Sequence, residues 1–259
     1  AQAMTHVILQ EYYENQPNDM FINYAKQYSD MPFVIMLDED ENGYKAGRFL
    51  RASDLGMSGE NNEWKPVIQD KLSQQLLVPN GTMGQRWEEG KKWNLKLETE
   101  DGTPIDPMLS MVESDYHVET IQFPYFDSSG DGIFERPIAT RTIQLANGEE
   151  VKIATVYDLM TSQYGVQRFE HELEATSYDD ASSKYTPAWQ EQITGIKKEL
   201  VTKVAKEFAQ NAIDTGGRSM IIMGAGINHW FNSDTIYRSI LNLVLLCGCQ
   251  GVNGGGWAH

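Results

Sequence analysis

Apolar positions follow two rhythms along this chain, and the change between them divides it. Residues 1–28 carry the helical spacing, with Met4, Val7 and Ile8 on one side, "ENQPND" as a break and "MFINYAKQY" as a second short helix. From Met31 the period shortens. "PFVIML" predicts a strand, "DEDENGYKAGRFLRA" an Asn-Gly turn with a returning strand, and "LVPNGTMGQRW" and "WNLKLETEDGTPI" add further Asn-Gly and Asp-Gly turns. "RTIQLANGEEVKIATV" is the clearest hairpin: two alternating strands meet near Asn147-Gly148, residue types that suit the positive φ angles of a type I′ turn. After about Tyr157 the helical period returns. "ITGIKKELVTKVAKEFAQNA" places Ile196, Leu200, Val204 and Phe208 at steps of four, an apolar stripe, with Gly216 or Gly217 as the left-handed cap.

The last forty residues predict a strand over 219–223, a Gly-Ala-Gly turn and a helix from about Ser233. That helix, "TIYRSILNLVLLCG", is apolar nearly all round and should be buried. Helix, buried strand, glycine turn and buried helix together are the grammar of an open α/β sheet, with a ligand site at the carboxyl end of the strand. The predicted class is therefore α/β, with open sheet lobes interrupted by a hairpin-rich β insertion. The segments are 1–30 as a helical tail, 31–175 as the insertion and 176–259 as the start of a second α/β lobe. Both ends read as interior to a longer chain: "AQAMTHVILQEYY" starts in helical spacing without a cap, and the other end lies in a glycine loop.

Charge narrows the function. With 21 basic against 37 acidic residues the net charge is −16, which argues against a nucleic-acid groove and against adsorption to an anionic membrane. No apolar run is long enough to span a bilayer. Cys247 and Cys249 are the only cysteines, too few for a disulfide framework or a four-ligand metal site, and are expected as buried packing residues.

The candidate chemistry lies in two glycine clusters. In "MGAGINHW" the glycines at 224 and 226 let the backbone approach a ligand, but His229 stands where a dinucleotide fingerprint needs its third glycine. A plain strand-to-loop turn is the competing reading. "GVNGGGWAH" sets Gly254, Gly255 and Gly256 beside Trp257 and His259, a combination unlike a linker. "DSSGDGIFE" mimics a calcium loop at Asp127, Ser129, Asp131 and Gly132, but Ile138 replaces the bidentate Glu at position twelve, so no metal ligand is assigned. His6, His117 and His171 have no partner at ligand spacing, and Asp179 and Asp180 read as surface caps.

Taken in order, "AMTHVILQEYY", "TSYDD", "YTPAWQEQITGIKKELVTKVAKEFA", "GRSMIIMGAGINHW" and "GCQGVNGGGWAH" resemble the molybdopterin oxidoreductases of the dimethyl sulfoxide reductase type. Within that family they are similar to the branch of catalytic alpha subunits of respiratory nitrate reductases, as are "GRFLRASDL" and "PNGTMGQRW", and the likeness covers the whole chain. The resemblance implies oxygen-atom transfer from nitrate at a bis-molybdopterin guanine dinucleotide cofactor carrying molybdenum, with a 4Fe-4S cluster in the same subunit. It implies an iron–sulfur beta subunit and a haem-containing membrane gamma subunit as partners, on the cytoplasmic side of the membrane. It assigns Gly224, Gly226, Asn228, Gly254, Gly255, Gly256, Trp257 and His259 to cofactor contact, and His229 to the molybdenum pocket as the catalytic side chain. The family's iron–sulfur motif and the segment with its molybdenum-ligating aspartate are not in this sequence, so these 259 residues alone are expected to hold no cofactor and to be inactive. The rival readings are a chlorate- or selenate-type reductase of the same family, a non-catalytic α/β nucleotide-binding module, and an acidic interaction domain built on the hairpins.

Overall fold

A computed structural model describes residues 1–41, 43–127 and 130–259. Asn42 of the expected Asn-Gly turn, and Ser128 and Ser129 of the calcium-like loop, lie outside the described residues. The chain divides into two compact units, residues 26–162 and residues 1–25 with 163–259.

The first unit is a small closed barrel. Its strands are β1 (Val34–Asp40), β2 (Gly43–Phe49), β5 (His117–Asp127), β6 (Gly130–Gln144) and β7 (Glu150–Thr155); a separate two-stranded ribbon pairs β3 (Ile68–Gln69) with β4 (Leu76–Leu77). β2 and β5 run parallel, the other barrel neighbours antiparallel, and β7 closes on β1 with Val34 opposite Thr155. Closure removes the free edges that a sheet of short hairpins would otherwise expose. Val34, Ile35, Met36 and Leu37 of β1 are all buried, together with Ile121, Ile138 and Ile153, so the strands bury consecutive as well as alternate apolar residues.

The β6–β7 hairpin is present, with Ile143 opposite Val151, but its turn differs from the type I′ expectation. Gly148 has φ +87, whereas Asn147 is not among the residues of positive φ. The Gly148 N–H donates to the Leu145 carbonyl at 2.9 Å and the Leu145 N–H to the Glu149 carbonyl at 2.8 Å. That is a three-residue loop, a type I turn with one left-handed glycine, and only that glycine needs positive φ.

After β7 the chain enters α3 (Val156–Gln163) through a reciprocal cap. Thr155 Oγ1 accepts the Asp158 N–H at 2.9 Å, and Asp158 Oδ2 accepts the Thr155 N–H at 3.3 Å. The buried Asp158 carboxylate also accepts Ser110 Oγ at 2.5 Å and the Met111 N–H at 2.9 Å.

The second unit is helical around one βαβ element. It contains α1 (Gln2–Leu9), continued by a π-helical stretch Gln10–Asn15, and the start of α2 (Asp19–Tyr28). Then come α4 (Pro187–Thr194), α5 (Lys198–Thr215), β8 (Met220–Ile222), α6 (Ser233–Leu246) and β9 (Gly256–Ala258). The predicted left-handed cap is present, with Gly216 at φ +68 and Gly217 at φ +94. The face that α5 buries is Ala205, Ala209 and Ala212, one turn apart, and small enough to bring α1 close.

Burial departs from the sequence pattern in three places. The row Ile196, Leu200 and Val204 is 48%, 53% and 42% exposed, because the alanine face rather than this stripe meets α1. It lines a groove with Met4, Trp189 and Ile193. β8 is not a buried strand either: Ile222 is 78% exposed, since β9 is the one strand it pairs with among the described residues. α6 buries only Leu243, Val244 and Leu246, toward its carboxyl end. Cys247 and Cys249 are buried as expected, and burial raises both thiols, Cys249 to about 11.

Candidate functional site

The site begins with two short parallel strands. β8 and β9 pair with Met220 opposite Gly256, Ile221 opposite Trp257 and Ile222 opposite Ala258, so both end on the same side. The Gly224–Gly226 turn follows one and His259 follows the other. α6 connects them, which places its first turn beside both carboxyl ends, the position where open α/β folds take their ligands.

The glycines of this region divide by physical cause. Among the described residues, chain neighbours aside, no atom lies within 4 Å of a Cβ added at Gly224 or Gly226, and neither has positive φ. Nothing in the surrounding structure requires glycine there, and the space in front of both is open. Gly255 is the opposite case. A Cβ would fall inside the Gly217 carbonyl oxygen and 3.0 Å from the Cys249 oxygen. Gly256 has φ +89, with Gln250 Oε1 2.8 Å from its added Cβ, and Gly254 has φ +85 with only the Arg218 methylenes near. The glycines at 254–256 thus satisfy the needs of their own chain, a cause the sequence does not reveal.

A single-turn 3₁₀ helix, Ile227–His229, follows the glycine turn. His229 is exposed, and its ring has no hydrogen-bond partner among the described residues. Asn228 is tethered: its side-chain oxygen accepts the Tyr237 phenol of α6, and its amide nitrogen lies 3.1 Å from His259 Nε2. The Tyr237 ring stands edge-on to Trp257 at 5.7 Å and 82°, and 5.9 Å from the His259 ring. Trp257 Nε1 is buried with no acceptor among the described residues, while its backbone N–H donates to Gln250 Oε1 at 3.2 Å. The structure thus gathers Gly224, Gly226, Asn228, His229, Trp257 and His259 at one end of the strand pair, with Gly254–Gly256 leading in.

Tyr237 is the residue that sequence reading missed. Its signal is slight: a tyrosine on the first turn of the helix after a glycine loop, in a stretch otherwise read as packing.

The other sequence candidates fall into packing or caps. His6 Nδ1 is 2.7 Å from the Tyr164 carbonyl in the core, and His171 Nδ1 accepts the Leu173 N–H at 3.2 Å. Asp180 accepts the Ser182 and Ser183 N–H groups, and Asp179 pairs with Lys198 at 2.8 Å. Among the described residues no group of His, Cys, Asp and Glu could hold a metal ion, and no helix is long and apolar enough to cross a membrane. A cavity of about 720 Å³ lies at the barrel beside Asp38, Arg48, Asp54 and Lys152, where Arg48 bonds Asp54 through two nitrogens at 2.7 Å.

A family model described as molybdopterin oxidoreductase matches residues 1–259. The chain is 55% identical to the nitrate reductase alpha chain of Bacillus subtilis (strain 168), with all of this chain and 21% of that protein covered. It is 42% identical to the respiratory nitrate reductase 1 alpha chain of Escherichia coli (strain K12), covering 22% of it. It is 24% identical to the perchlorate reductase subunit alpha of Dechloromonas aromatica (strain RCB), again over the whole chain and 22% of the relative. The chain therefore spans about a fifth of the length of these relatives.

Proposed function

This chain belongs to the molybdopterin oxidoreductase family, and on that premise we propose that it is part of the catalytic alpha chain of a respiratory nitrate reductase. The observation that carries the reading is the open crevice at the carboxyl ends of β8 and β9, where Gly224 and Gly226 have no reason within the chain to be glycine. Its residues fit a large polar cofactor. Backbone can approach closely at both glycines, Asn228 and His259 offer polar edges, and His229 has no hydrogen-bond partner among the described residues.

When bound, bis-molybdopterin guanine dinucleotide with molybdenum supplies two-electron oxygen-atom transfer, nitrate to nitrite. The chain's own residues do the positioning. Gly224 and Gly226 keep side chains out of the cofactor's space, while Asn228, Trp257 and His259 form the wall beside it. His229 is assigned to the reacting centre. Reduction of nitrate to nitrite and water consumes two protons, and an exposed imidazole can deliver one from a ring nitrogen. Gly254–Gly256 hold the approach to β9, and whatever contact they make with cofactor is through backbone.

The same proposal includes a 4Fe-4S cluster elsewhere in the alpha chain, an iron–sulfur beta subunit, a haem-containing membrane gamma subunit, and a place on the cytoplasmic face of the membrane. The relatives named respiratory nitrate reductase alpha chains support a respiratory complex of several subunits, and the remaining parts rest on the family resemblance. Residues 31–175 are then an insertion between α/β lobes, a reading supported by the compactness of 26–162.

Perchlorate or chlorate is the second substrate reading, favoured by the 24% identical perchlorate reductase subunit. The test is metal and pterin analysis of the full-length protein that carries this segment, with kcat/KM measured for nitrate, chlorate and perchlorate using reduced viologen. Stoichiometric molybdenum with nitrate preferred supports the proposal. A protein free of molybdenum overturns it, and preference for perchlorate moves it to the second reading.

A further inference from the structure

We propose that Tyr237 is a positioning residue that fixes the loop carrying His229, acting through Asn228; this inference rests on the reading of the crevice as the cofactor site. Within residues 224–232, Asn228 bears the only side-chain hydrogen bonds among the described residues. The rest of the loop is held by its own backbone: the Ile227 N–H reaches the Gly224 oxygen at 3.4 Å, the Asn228 N–H the Ala225 oxygen at 3.1 Å, and the Trp230 N–H the Ile227 oxygen at 3.1 Å. Trp230 and Phe231 are exposed and contribute no anchor. A Cβ added at either adjoining glycine would meet no described atom within 4 Å, chain neighbours aside. A segment of this kind has many accessible backbone conformations, and one side-chain tether decides which of them presents His229.

The tether has a direction. The Tyr237 phenol donates to Asn228 Oδ1, which turns the Asn228 NH₂ toward His259 Nε2 at 3.1 Å. His259 Nε2 is also 3.3 Å from Asn228 Oδ1, so its ring meets the whole edge of that amide. Tyr237 is itself fixed on α6 and flanked by the Trp257 and His259 rings, so the loop after β8 and the end of β9 are set against the same helix. Asn228 alone would suffice as a surface polar residue. The phenol aimed at it from a neighbouring helix is what makes its rotamer, and the step to His229 beside it, a single arrangement.

The experiment uses the full-length enzyme with Tyr237→Phe, which keeps the ring contacts and removes the hydroxyl. Beside it stand Asn228→Ala and the double variant. Three measurements are made: molybdenum content, the Mo(V) electron paramagnetic resonance spectrum with nitrate turnover, and amide hydrogen exchange over 224–232 in cofactor-free protein. For Tyr237→Phe the expected result is full molybdenum, a broadened or mixed Mo(V) signal, turnover lowered about tenfold, and exchange over 224–232 about fivefold faster. The double variant should be no worse than Asn228→Ala, because the hydroxyl acts through that amide. Wild-type spectrum, turnover and exchange in a molybdenum-loaded Tyr237→Phe enzyme overturn the inference and leave the cofactor reading intact. Additive losses in the double variant also overturn it, since the hydroxyl would then act by another route. Wild-type protein without molybdenum overturns the cofactor reading and this inference with it.

Discussion

Gly255 is packed so closely against the Gly217 carbonyl that its α-hydrogen occupies the only space a side chain could take. Gly255→Ala should therefore destabilise this 259-residue chain itself, by about 1–3 kcal/mol from overpacking, read as a lower melting temperature. Any loss of cofactor from that variant in the full-length enzyme would follow from the damaged strand end. An unchanged melt would show that the 217–255 approach relaxes freely.

Gly224 provides the contrast. With open space around it and no positive φ, Gly224→Ala should leave stability within about 0.5 kcal/mol of wild type, read as an essentially unchanged melt. In the full-length enzyme the same substitution should lower molybdenum content, because the methyl group would occupy cofactor space. Normal metal content would mean that no ligand approaches this turn.

His229 should separate binding from turnover. It makes no side-chain hydrogen bond among the described residues, so His229→Ala is expected to keep molybdenum near normal and to lower kcat by about 10²–10⁴-fold, the usual loss of a positioned acid–base group. Full turnover at full molybdenum occupancy would return the residue to an ordinary loop.

Asp158 joins four donors to one buried carboxylate: the Thr155 N–H and hydroxyl, the Ser110 hydroxyl and the Met111 N–H. Asp158→Ala removes the acceptor and leaves buried donors unsatisfied, at a cost of about 2–4 kcal/mol. Chemical denaturation should show it as a lower midpoint with the slope retained.

Asp54 carries a pH-dependent share of stability. The Arg48 guanidinium bonded to it, helped by the Arg51 N–H, lowers its pKa in the fold despite partial burial. A carboxyl depressed in the native state contributes fully above its unfolded pKa of about 3.9 and loses that contribution as pH falls through the lower, folded value. Asp54→Asn should thus be less stable than wild type at pH 7, and the gap should close below about pH 4. A gap that stays constant down to pH 2 would exclude the Arg48 pairing as its source.

Much of the fold was legible because it depends on local chemistry. Asn147-Gly148 marks its hairpin, Gly216 its helix end, and the run into Gly224 its strand end, since each position tolerates few residue types. Burial was less legible, because a neighbour several turns or a hundred residues away decides it. The Ile196–Leu200–Val204 row has the stronger pattern, yet Ala205, Ala209 and Ala212 face α1, where close approach favours small side chains. The candidate site was legible in its glycines and in Asn228, but not in the reason for each. Gly255 and Gly224 look alike in sequence and differ entirely in what surrounds them, and Tyr237 enters only because α6 folds back beside two strand ends.

Closure of the barrel couples Val34 to Thr155, so β1 waits for its last partner until the chain has been made well past β7. At translation speeds of about 5–20 residues per second that interval is on the order of ten seconds. For that time the apolar run Val34–Leu37 has one edge of unpaired amides and carbonyls, the pattern that recruits other extended chains. Nascent chains stalled between β2 and β7 should accordingly hold on to holdase chaperones, and release them once residue 155 has cleared the ribosome tunnel.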